Sequence, residues 1–247
     1  EVEREMRFLQ IEGLCKSFWG LMAIHDLDFA VDEGEIVGII GPNGSGKTTA
    51  LNLVTGFLKP DSGKVTFRGE NITGFPRYRV SQKGIARTFQ LVKPFLEFTA
   101  LENVMVGRAY GHAPAKGLEA AAEESVEILH RVGLADKAKV VAKGLTVMER
   151  KRLELARALA TKPQLLLLDE LMAGLNPRET EDACGLIRQI RESKITIIVV
   201  EHIVKAICGL SDRVVVLNMG EKIAEGPPDQ IVHNPDVIDV YLGKAHA

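Results

Sequence analysis

The chain opens with positions that alternate between apolar and polar residues, in RFLQIEG at 7–13 and IHDLDFAVDEGE at 24–35. A period of two predicts antiparallel strands that bury one face. The next run, EIVGII at 35–40, is continuously apolar and rich in β-branched residues, so it predicts a strand buried on both faces. KVTFRGE at 64–70 returns to the alternating pattern.

A helical pattern replaces the strand pattern from about residue 93 to residue 161. Its clearest segments are LENVMVGR, EAAAEESVEILHRVG and TVMERKRLELARALAT, which are separated by short polar linkers. We therefore predict a helical subdomain at 93–161, inserted between two parts of a core, 1–92 and 162–247, that also carries the antiparallel strands.

Strands and helices alternate in the last third of the chain. QLLLLDE and KITIIVVEH predict buried strands on either side of a helix, PRETEDACGLIRQIRES, and RVVVLNMGEKIAEG predicts two short strands about Met219-Gly220. This order indicates a mostly parallel sheet with helices on both faces. The ending, DQIVHNPDVIDVYLG, predicts short helices broken at Pro235.

Composition narrows the class of protein. The 247 residues are 46% hydrophobic, enough for a substantial core, and the net charge of −2 gives no basic field for nucleic acid. The three cysteines, Cys15, Cys184 and Cys208, lack metal-ligand spacing and are expected to be reduced thiols. No apolar run approaches the roughly 18 residues of a membrane span, and the charged start EVEREMRFLQ has no signal region. We expect membrane association only through a partner.

The strongest chemical signal is GPNGSGKT at 41–48, which matches the phosphate-loop pattern G-x-x-x-x-G-K-[ST] between a buried strand and a helix. Glycines let backbone N–H groups turn toward phosphate oxygens, and the helix adds its positive end. Lys47 is expected to reach the β- and γ-phosphates, and Thr48 to ligate Mg²⁺. The candidate nucleotide-binding residues are Gly41, Pro42, Asn43, Gly44, Ser45, Gly46, Lys47, Thr48 and Thr49.

Two further candidates follow buried strands. Asp169 and Glu170 end the LLLLDE strand, at the edge where open α/β sheets bind ligands. Asp169 is expected to hold the metal, and Glu170 to polarise a water for attack on the γ-phosphate. His202 follows the second strand, where a lone histidine is most often structural.

Five motifs together resemble a known family. GPNGSGKT at 41–48, GIARTFQ at 84–90, RKRLELARALATKPQLLLLDE at 150–170, AGLN at 173–176 and IIVVEH at 197–202 are similar, in order and spacing, to the nucleotide-binding subunits of ABC transporters. GIARTFQLVKPFLEFTALENVMVG and KIAEGPPDQIVHNPDVIDVYLG resemble, more narrowly, the ATPase subunits of branched-chain amino acid importers.

The resemblance implies a fold and a function. The fold would be an α/β P-loop NTPase of ABC type, with a RecA-like core, an antiparallel β-subdomain and an inserted helical subdomain. The chain would bind ATP and Mg²⁺ and power an importer, for branched-chain or related amino acids, from the cytoplasmic face of the membrane. Alternatives are a weakly or non-hydrolytic subunit of a heterodimeric pair, and an ABC system for another solute.

The resemblance also implies partners. They would be a second ABC ATPase subunit, identical or different, integral-membrane permease subunits and, indirectly, a solute-binding protein. The permease would dock at an apolar groove near Phe89, Leu91, Phe95 and Phe98.

Two other classes of protein fit the sequence less well. A soluble ABC ATPase of DNA repair or translation would need coiled-coil heptads or a second cassette, and a metabolic kinase would leave four of the motifs unexplained.

Further residue roles are implied by the resemblance alone. Phe18 would stack on adenine, with Trp19 as the alternative ring. Gln90 would contact Mg²⁺ or the attacking water, and His202 would contact the γ-phosphate. Ala173–Asn176 would form the D-loop, whose Asn176 would contact nucleotide.

The turn LTVME at 145–149 departs from the family, which usually has a Leu-Ser-Gly-Gly-Gln type signature here. Thr146 replaces the serine, both glycines are lost, and Thr146 with Glu149 fits a capping box that can start the helix without glycine. Val147 and Met148 add bulk, and Glu149 adds negative charge toward the phosphates of the facing subunit. Two hypotheses stay open. In the first, the chain supplies its phosphate loop, its acidic pair, Gln90 and His202 to a composite site completed by a different partner's signature, while its own LTVME faces the partner's nucleotide and forms the weaker site. In the second, LTVME is a working variant whose side chains point away and whose backbone still reaches phosphate. The proline that the family commonly has after the glutamate matched by Glu170 is also replaced, by Leu171.

Overall fold

A computed structural model describes residues 7–89 and 94–242. The chain divides into two compact units. One combines the residues before Tyr78 with those after Leu171, and the other is Tyr78–Leu171. The predicted subdomain boundaries at 92/93 and 161/162 differ from these divisions and stay a prediction.

Ten strands and nine α-helices occur in the described residues. The strands are β1 (Leu9–Phe18), β2 (Leu21–Val31), β3 (Ile36–Ile40), β4 (Ser62–Phe67), β5 (Glu70–Asn71), β6 (Ile85–Arg87), β7 (Leu165–Asp169), β8 (Thr196–Val200), β9 (Arg213–Asn218) and β10 (Glu221–Gly226). The helices are α1 (Lys47–Val54), α2 (Arg77–Gln82), α3 (Ala100–Tyr110), α4 (Leu118–Arg131), α5 (Val147–Ala160), α6 (Pro177–Glu192), α7 (Val204–Leu210), α8 (Pro228–Ile231) and α9 (Pro235–Leu242).

An antiparallel sheet in the first unit confirms the prediction for the alternating segments. Its order is β2-β1-β4-β5. In β1 the side chains of Leu9, Ile11 and Leu14 are buried, with an irregularity in the register between Ile11 and Leu14. The irregularity allows both Ile11 and Leu14 to reach the core although they are three residues apart.

The first unit also contains strands in the order β10-β9-β3-β8. β3 is parallel to both β8 and β9, whereas β10 returns antiparallel from the turn at Met219-Gly220. Every residue of β3 and β8 is buried, as expected for parallel strands covered on both faces. Helix α7 approaches β3 so closely that a Cβ on Gly38 would lie 2.4 Å from Ile207 Cγ2.

The second unit pairs β6 and β7 in parallel and adds helices α3, α4 and α5. Arg108 on α3 is fully buried among these helices. Its guanidinium donates to Glu124 at 2.9 Å and to the carbonyls of Ala113 and Ala160. A buried cation of this kind holds three chain segments together through its several donors.

Three smaller features concern the thiols, the apolar content of the helices and the short helices. Cys15, Cys184 and Cys208 are all free thiols. Among the described residues, no helix is both long enough and apolar enough to cross a bilayer. The short helices α2 and α7 were not predicted, and Pro235 begins α9 after a break, as the sequence indicated.

Candidate functional site

The phosphate loop joins β3 to α1 in the first unit. Gly41, Gly44 and Gly46 all have positive φ, at 152°, 78° and 101°. A Cβ on Gly41 would lie 2.1 Å from the carbonyl oxygen of Leu217, and one on Gly46 would lie 2.7 Å from Ile24 Cδ1. Side chains at Gly41 and Gly46 are therefore excluded by both conformation and space.

Lys47 brings the predicted loop residues together. Its buried ammonium donates to the carbonyls of Gly41 at 2.8 Å and Pro42 at 2.9 Å, and reaches Ser45 Oγ at 3.4 Å. A phosphate oxygen is a stronger acceptor for an ammonium group than a neutral carbonyl is. The loop is therefore shaped so that phosphate can replace these carbonyls as the acceptor.

The first turn of α1 supports the same chemistry. The helix begins at Lys47, and its N-cap residue, Gly46, supplies no side-chain cap. The positive end of the helix dipole and the first-turn N–H groups therefore face the loop. Thr48, in this first turn, is exposed, as are Asn43 and Gly44 in the loop, whereas Thr49 is half-buried.

In the second unit, β7 delivers Asp169 and Glu170 from a fully buried strand. Asp169 is 2% exposed. Its Oδ2 accepts a hydrogen bond from Arg87 at 2.6 Å, and its backbone N–H donates to Thr88 Oγ1 at 3.2 Å. Glu170, the next residue, is also buried and has a φ of 52°, a left-handed conformation that is uncommon for a residue with a side chain.

Asp169 has the character of a metal ligand. Within the described residues its second carboxylate oxygen, Oδ1, is buried and has no hydrogen-bond partner. A buried carboxylate oxygen left in this state is costly unless a cation or water satisfies it. Oxygen is the ligand that Mg²⁺ prefers, so Asp169 fits the predicted metal role.

Arg87 was not foreseen from the sequence. It pairs with Asp169 although the two residues lie 82 positions apart, and their side chains are only 4% and 2% exposed. The sequence shows a charged residue in a segment whose other residues are typical of a buried strand. A single charge of that kind does not reveal its partner.

Two polar residues, Glu201 and His202, follow β8. His202 is exposed, whereas Glu201 is fully buried and its Oε1 accepts from the Met172 N–H at 2.5 Å. This bond connects the end of β8 to the residue that precedes Ala173–Asn176. No role of Glu201 could be predicted from the sequence, because its partner lies 29 residues away.

Asn176 and Thr146 both act as helix N-caps. The Asn176 side chain accepts from the Glu179 N–H at the start of α6. Thr146 Oγ1 accepts from the Glu149 N–H, and the Glu149 carboxylate accepts from the Thr146 N–H at 2.8 Å, so the predicted capping box is confirmed. The hydrogen bond from the Thr146 backbone holds the pKa of Glu149 below its usual value.

Two other predictions concern aromatic and amide side chains. Phe18 ends β1 half-buried, with Lys16 Nζ 5.6 Å from its ring centroid, whereas Trp19 is fully exposed with a φ of 47°. Gln90 lies outside the described residues, as does Leu91.

A glycine-rich phosphate loop at the end of a parallel strand, combined with a buried acidic pair ending another strand, defines the class of P-loop nucleotide-binding proteins. Residues 24–173 match the family model for the ABC transporter. Residues 221–247 match a second model, that of the branched-chain amino acid ATP-binding cassette transporter.

Curated relatives match over nearly the whole chain. It is 41% identical to the high-affinity branched-chain amino acid transport ATP-binding protein BraF of Pseudomonas aeruginosa, over 96% of this chain and 98% of that protein. It is 39% identical to the corresponding protein LivG of Escherichia coli, with the same coverage. The chain belongs to the ABC transporter family and is an ATP-binding cassette ATPase.

Solved structures agree on the fold. An ATP-binding cassette of an ABC transporter in its ADP conformation superposes with a TM-score of 0.88 at 32% identity, covering 97% of this chain and 100% of that one. A dimeric cassette in a post-hydrolysis state, bound to ADP and Pi, gives a TM-score of 0.82 at 25% identity, covering 89% and 98%. The predicted ABC-type P-loop NTPase fold is confirmed.

The buried Arg87–Asp169 pair generates a prediction about stability. Arg87→Met leaves the Asp169 carboxylate buried without its cation, so we expect it to lower the free energy of unfolding by about 3–5 kcal/mol. Asp169→Asn removes the charge, so the double variant should be less destabilised than the sum of the single ones, with a coupling energy on the order of 2 kcal/mol. Urea denaturation of the four proteins measures this energy.

The control is Lys143→Met, because Lys143 pairs with Glu97 at 2.7 Å on the surface of the same unit. It should change the unfolding free energy by less than about 1 kcal/mol. Additivity of Arg87→Met and Asp169→Asn would show that the two side chains do not depend on each other.

Proposed function

We propose that this chain binds and hydrolyses Mg-ATP to drive an importer of branched-chain or related amino acids. Two similarities support the substrate class: the relatives that transport branched-chain amino acids match nearly the whole chain, and the second family model matches the C-terminal residues 221–247. The observation that carries the ATPase role is the shaped phosphate loop around Lys47.

The proposed hydrolysis assigns one task to each predicted residue. Lys47 and the N–H groups of the loop bind the β- and γ-phosphates. Glu170 accepts a proton from a water, whose oxygen attacks the γ-phosphorus while the bond to the β,γ-bridging oxygen breaks, giving ADP and phosphate. His202 contacts the γ-phosphate.

Thr48, Asp169 and Gln90 would hold Mg²⁺, which neutralises charge on the phosphate oxygens when bound. The Oδ1 atom of Asp169, which is buried and has no hydrogen-bond partner among the described residues, supports this assignment. Thr48 is an exposed residue in the first turn of α1, next to the phosphate loop. Phe18 or Trp19 stacks on adenine, and Thr146 and Asn176 contact nucleotide across a dimer of cassettes.

The proposed partners follow from the same family. A second ATPase subunit, identical or different, completes the two nucleotide sites, and permease subunits anchor the pair at the cytoplasmic face of the membrane. A solute-binding protein acts indirectly, through the permease. The dimeric relative with bound ADP and phosphate supports cassette dimerisation.

A permease docking surface is supported by exposed aromatic side chains in the second unit. Phe89, Phe95 and Phe98 are each about two-fifths exposed, and the Phe95 and Phe98 ring centroids are 5.4 Å apart. Arg157 lies 4.8 Å from the Phe95 ring centroid. Grouped exposed aromatic side chains are typical of interaction surfaces.

Replacement of Glu170 tests the hydrolytic role. Glu170→Gln should lower ATP turnover roughly 100-fold or more, because the amide does not accept the water's proton, while ATP affinity is retained. Lys47→Ala should instead weaken ATP binding by about 10- to 100-fold, because a charged hydrogen bond to phosphate is lost. Lys59→Ala, at an exposed lysine beyond α1, is the control.

Turnover is measured per subunit against protein concentration. A rate that climbs with concentration means that the homodimer suffices, and tight binding without turnover at any concentration means that a different partner is needed. Wild-type turnover by Glu170→Gln in any active preparation would contradict the assigned role.

The signature turn supplies a second prediction. The Glu149 carboxylate is held by the Thr146 N–H and lies 3.6 Å from Lys137 Nζ, so its charge is partly compensated, which favours a working variant. Val147→Gly with Met148→Gly should therefore change turnover less than about threefold, or about 0.7 kcal/mol. A rise of tenfold or more would support the composite site with a different partner.

Alanines at the same two positions form the matched control for the signature test. They remove side-chain bulk without adding the backbone freedom of glycine. A difference between the alanine and glycine pairs therefore reports on backbone conformation rather than on crowding by Val147 and Met148.

Docking of the permease predicts a specific uncoupling. Phe95→Asp or Phe98→Asp should abolish most amino acid uptake in liposomes containing the whole transporter, because a charge replaces an apolar anchor, while ATP binding is unchanged. Tyr110→Asp is the control, since Tyr110 is an exposed aromatic residue on α3 in the same unit. Normal uptake by both phenylalanine variants would exclude this surface.

A further inference from the structure

Glu154 is a buried acid to which the hydrolytic chemistry assigns no role. It lies in the middle of α5, the helix that begins after Thr146, and is 6% exposed. Its Oε1 accepts a hydrogen bond from the backbone N–H of Phe89 at 2.6 Å, across 65 positions of sequence. The helix interior is therefore joined to the main chain that leaves β6.

The surroundings of Glu154 make its carboxyl group costly to bury. Burial raises the pKa of Glu154 to about 7, against the lowering effects of the Phe89 N–H and the cations Arg157, Lys151 and Arg87. An apolar side chain of similar volume would avoid this desolvation. The carboxyl group, unlike an apolar side chain, accepts the hydrogen bond of the Phe89 N–H.

That acceptor does not depend on ionisation. A protonated carboxyl group keeps one carbonyl oxygen that accepts hydrogen bonds. The link between α5 and Phe89 can therefore persist on both sides of the raised pKa, and its role is positional.

Phe89 is the last described residue before Gln90. The preceding residue, Thr88, is fixed by strand contacts, since its N–H donates to the Leu167 carbonyl at 3.0 Å and its Oγ1 accepts from the Asp169 N–H. Beyond Thr88, the bond from Phe89 to Glu154 continues this anchoring by one residue. The main chain of Thr88 and Phe89, immediately before Gln90, is thus positioned by hydrogen bonds to both β7 and α5.

We propose that Glu154 is a positioning residue of the ATPase: it ties the helix behind the signature turn to the main chain immediately before Gln90. Movement of α5 is then transmitted to the Phe89 main chain through this hydrogen bond. This inference rests on the proposed role of Gln90 at the metal or the attacking water. Glu154 itself touches neither nucleotide nor water in this role.

The test compares Glu154→Gln with Glu154→Met in the full chain. The glutamine keeps a carbonyl acceptor, whereas methionine, a good helix former of similar volume, removes it. Arg108→Met is the matched control, because it removes a buried hydrogen-bonding side chain from α3 of the same unit without touching Phe89. Turnover is measured in whichever preparation, chain alone or whole transporter, is active for the wild type.

Glu154→Met should lower kcat about 10- to 100-fold, the scale expected for a displaced active-site group, with the Kd for ATP changed less than about twofold. Amide hydrogen exchange of Phe89 should accelerate in the same variant. Glu154→Gln should restore both kcat and protection, and Arg108→Met should lower the melting temperature without lowering kcat of the folded protein.

Three results would overturn the proposal: wild-type kcat in Glu154→Met, equal loss in Glu154→Gln and Glu154→Met, or a Phe89 amide that exchanges freely in the wild type. The last needs no variant, so the proposal stays testable if Glu154→Met does not fold. Glu170→Gln distinguishes failure of the positioning role of Glu154 from failure of the proposed hydrolytic mechanism. If it inactivates the enzyme while Glu154→Met does not, only the positioning role fails; if it leaves turnover intact, the proposed hydrolytic roles fail.

Discussion

The close approach of three backbone segments at the phosphate loop is the constraint on which the nucleotide-binding part of the first unit depends. The loop carbonyl of Ser45 accepts from the Gly220 N–H at 3.1 Å, and the Gly220 carbonyl accepts from the His25 N–H at 2.9 Å. A Cβ on Gly46 would lie 2.8 Å from the Ala23 carbonyl oxygen. The antiparallel strand β2 and the β9–β10 turn therefore support a loop that neither could form alone, and glycine is required where they meet.

Buried carboxylates organise the remaining candidate residues in both units. Asp169 accepts from Arg87, Glu154 from the Phe89 N–H and Glu201 from the Met172 N–H. Each acid is buried, so each bond forms where water competes poorly and an unmade bond would be costly. The three acids thus fix main chain or a cation beside residues that are proposed to bind nucleotide, rather than adding to the hydrophobic core.

The elements and the loop could be predicted from the sequence because their signals are local. A β-branched run predicts β3 or β8, a glycine-rich pattern predicts the phosphate loop, and Thr146 followed by Glu149 predicts a capping box. The contacts of Arg87, Glu154 and Glu201 could not be predicted, because each partner lies 29 to 82 residues away and no periodicity encodes that pairing. The short helices α2 and α7 were not predicted for a different reason, because six or seven residues are too few for a helical period to be recognised.

The signature turn shows how local and distant contacts combine. Its sequence explains how α5 begins without glycine, since Thr146 and Glu149 satisfy each other's backbone N–H groups. From the sequence alone, the negative charge of the Glu149 carboxylate was expected to repel a phosphate at this turn. In the structure that carboxylate turns back to its own helix terminus and lies near Lys137, so its field on an approaching anion is reduced. Val147 is 73% exposed, so the effect of its branched side chain is a separate question from the effect of the Glu149 charge at this turn.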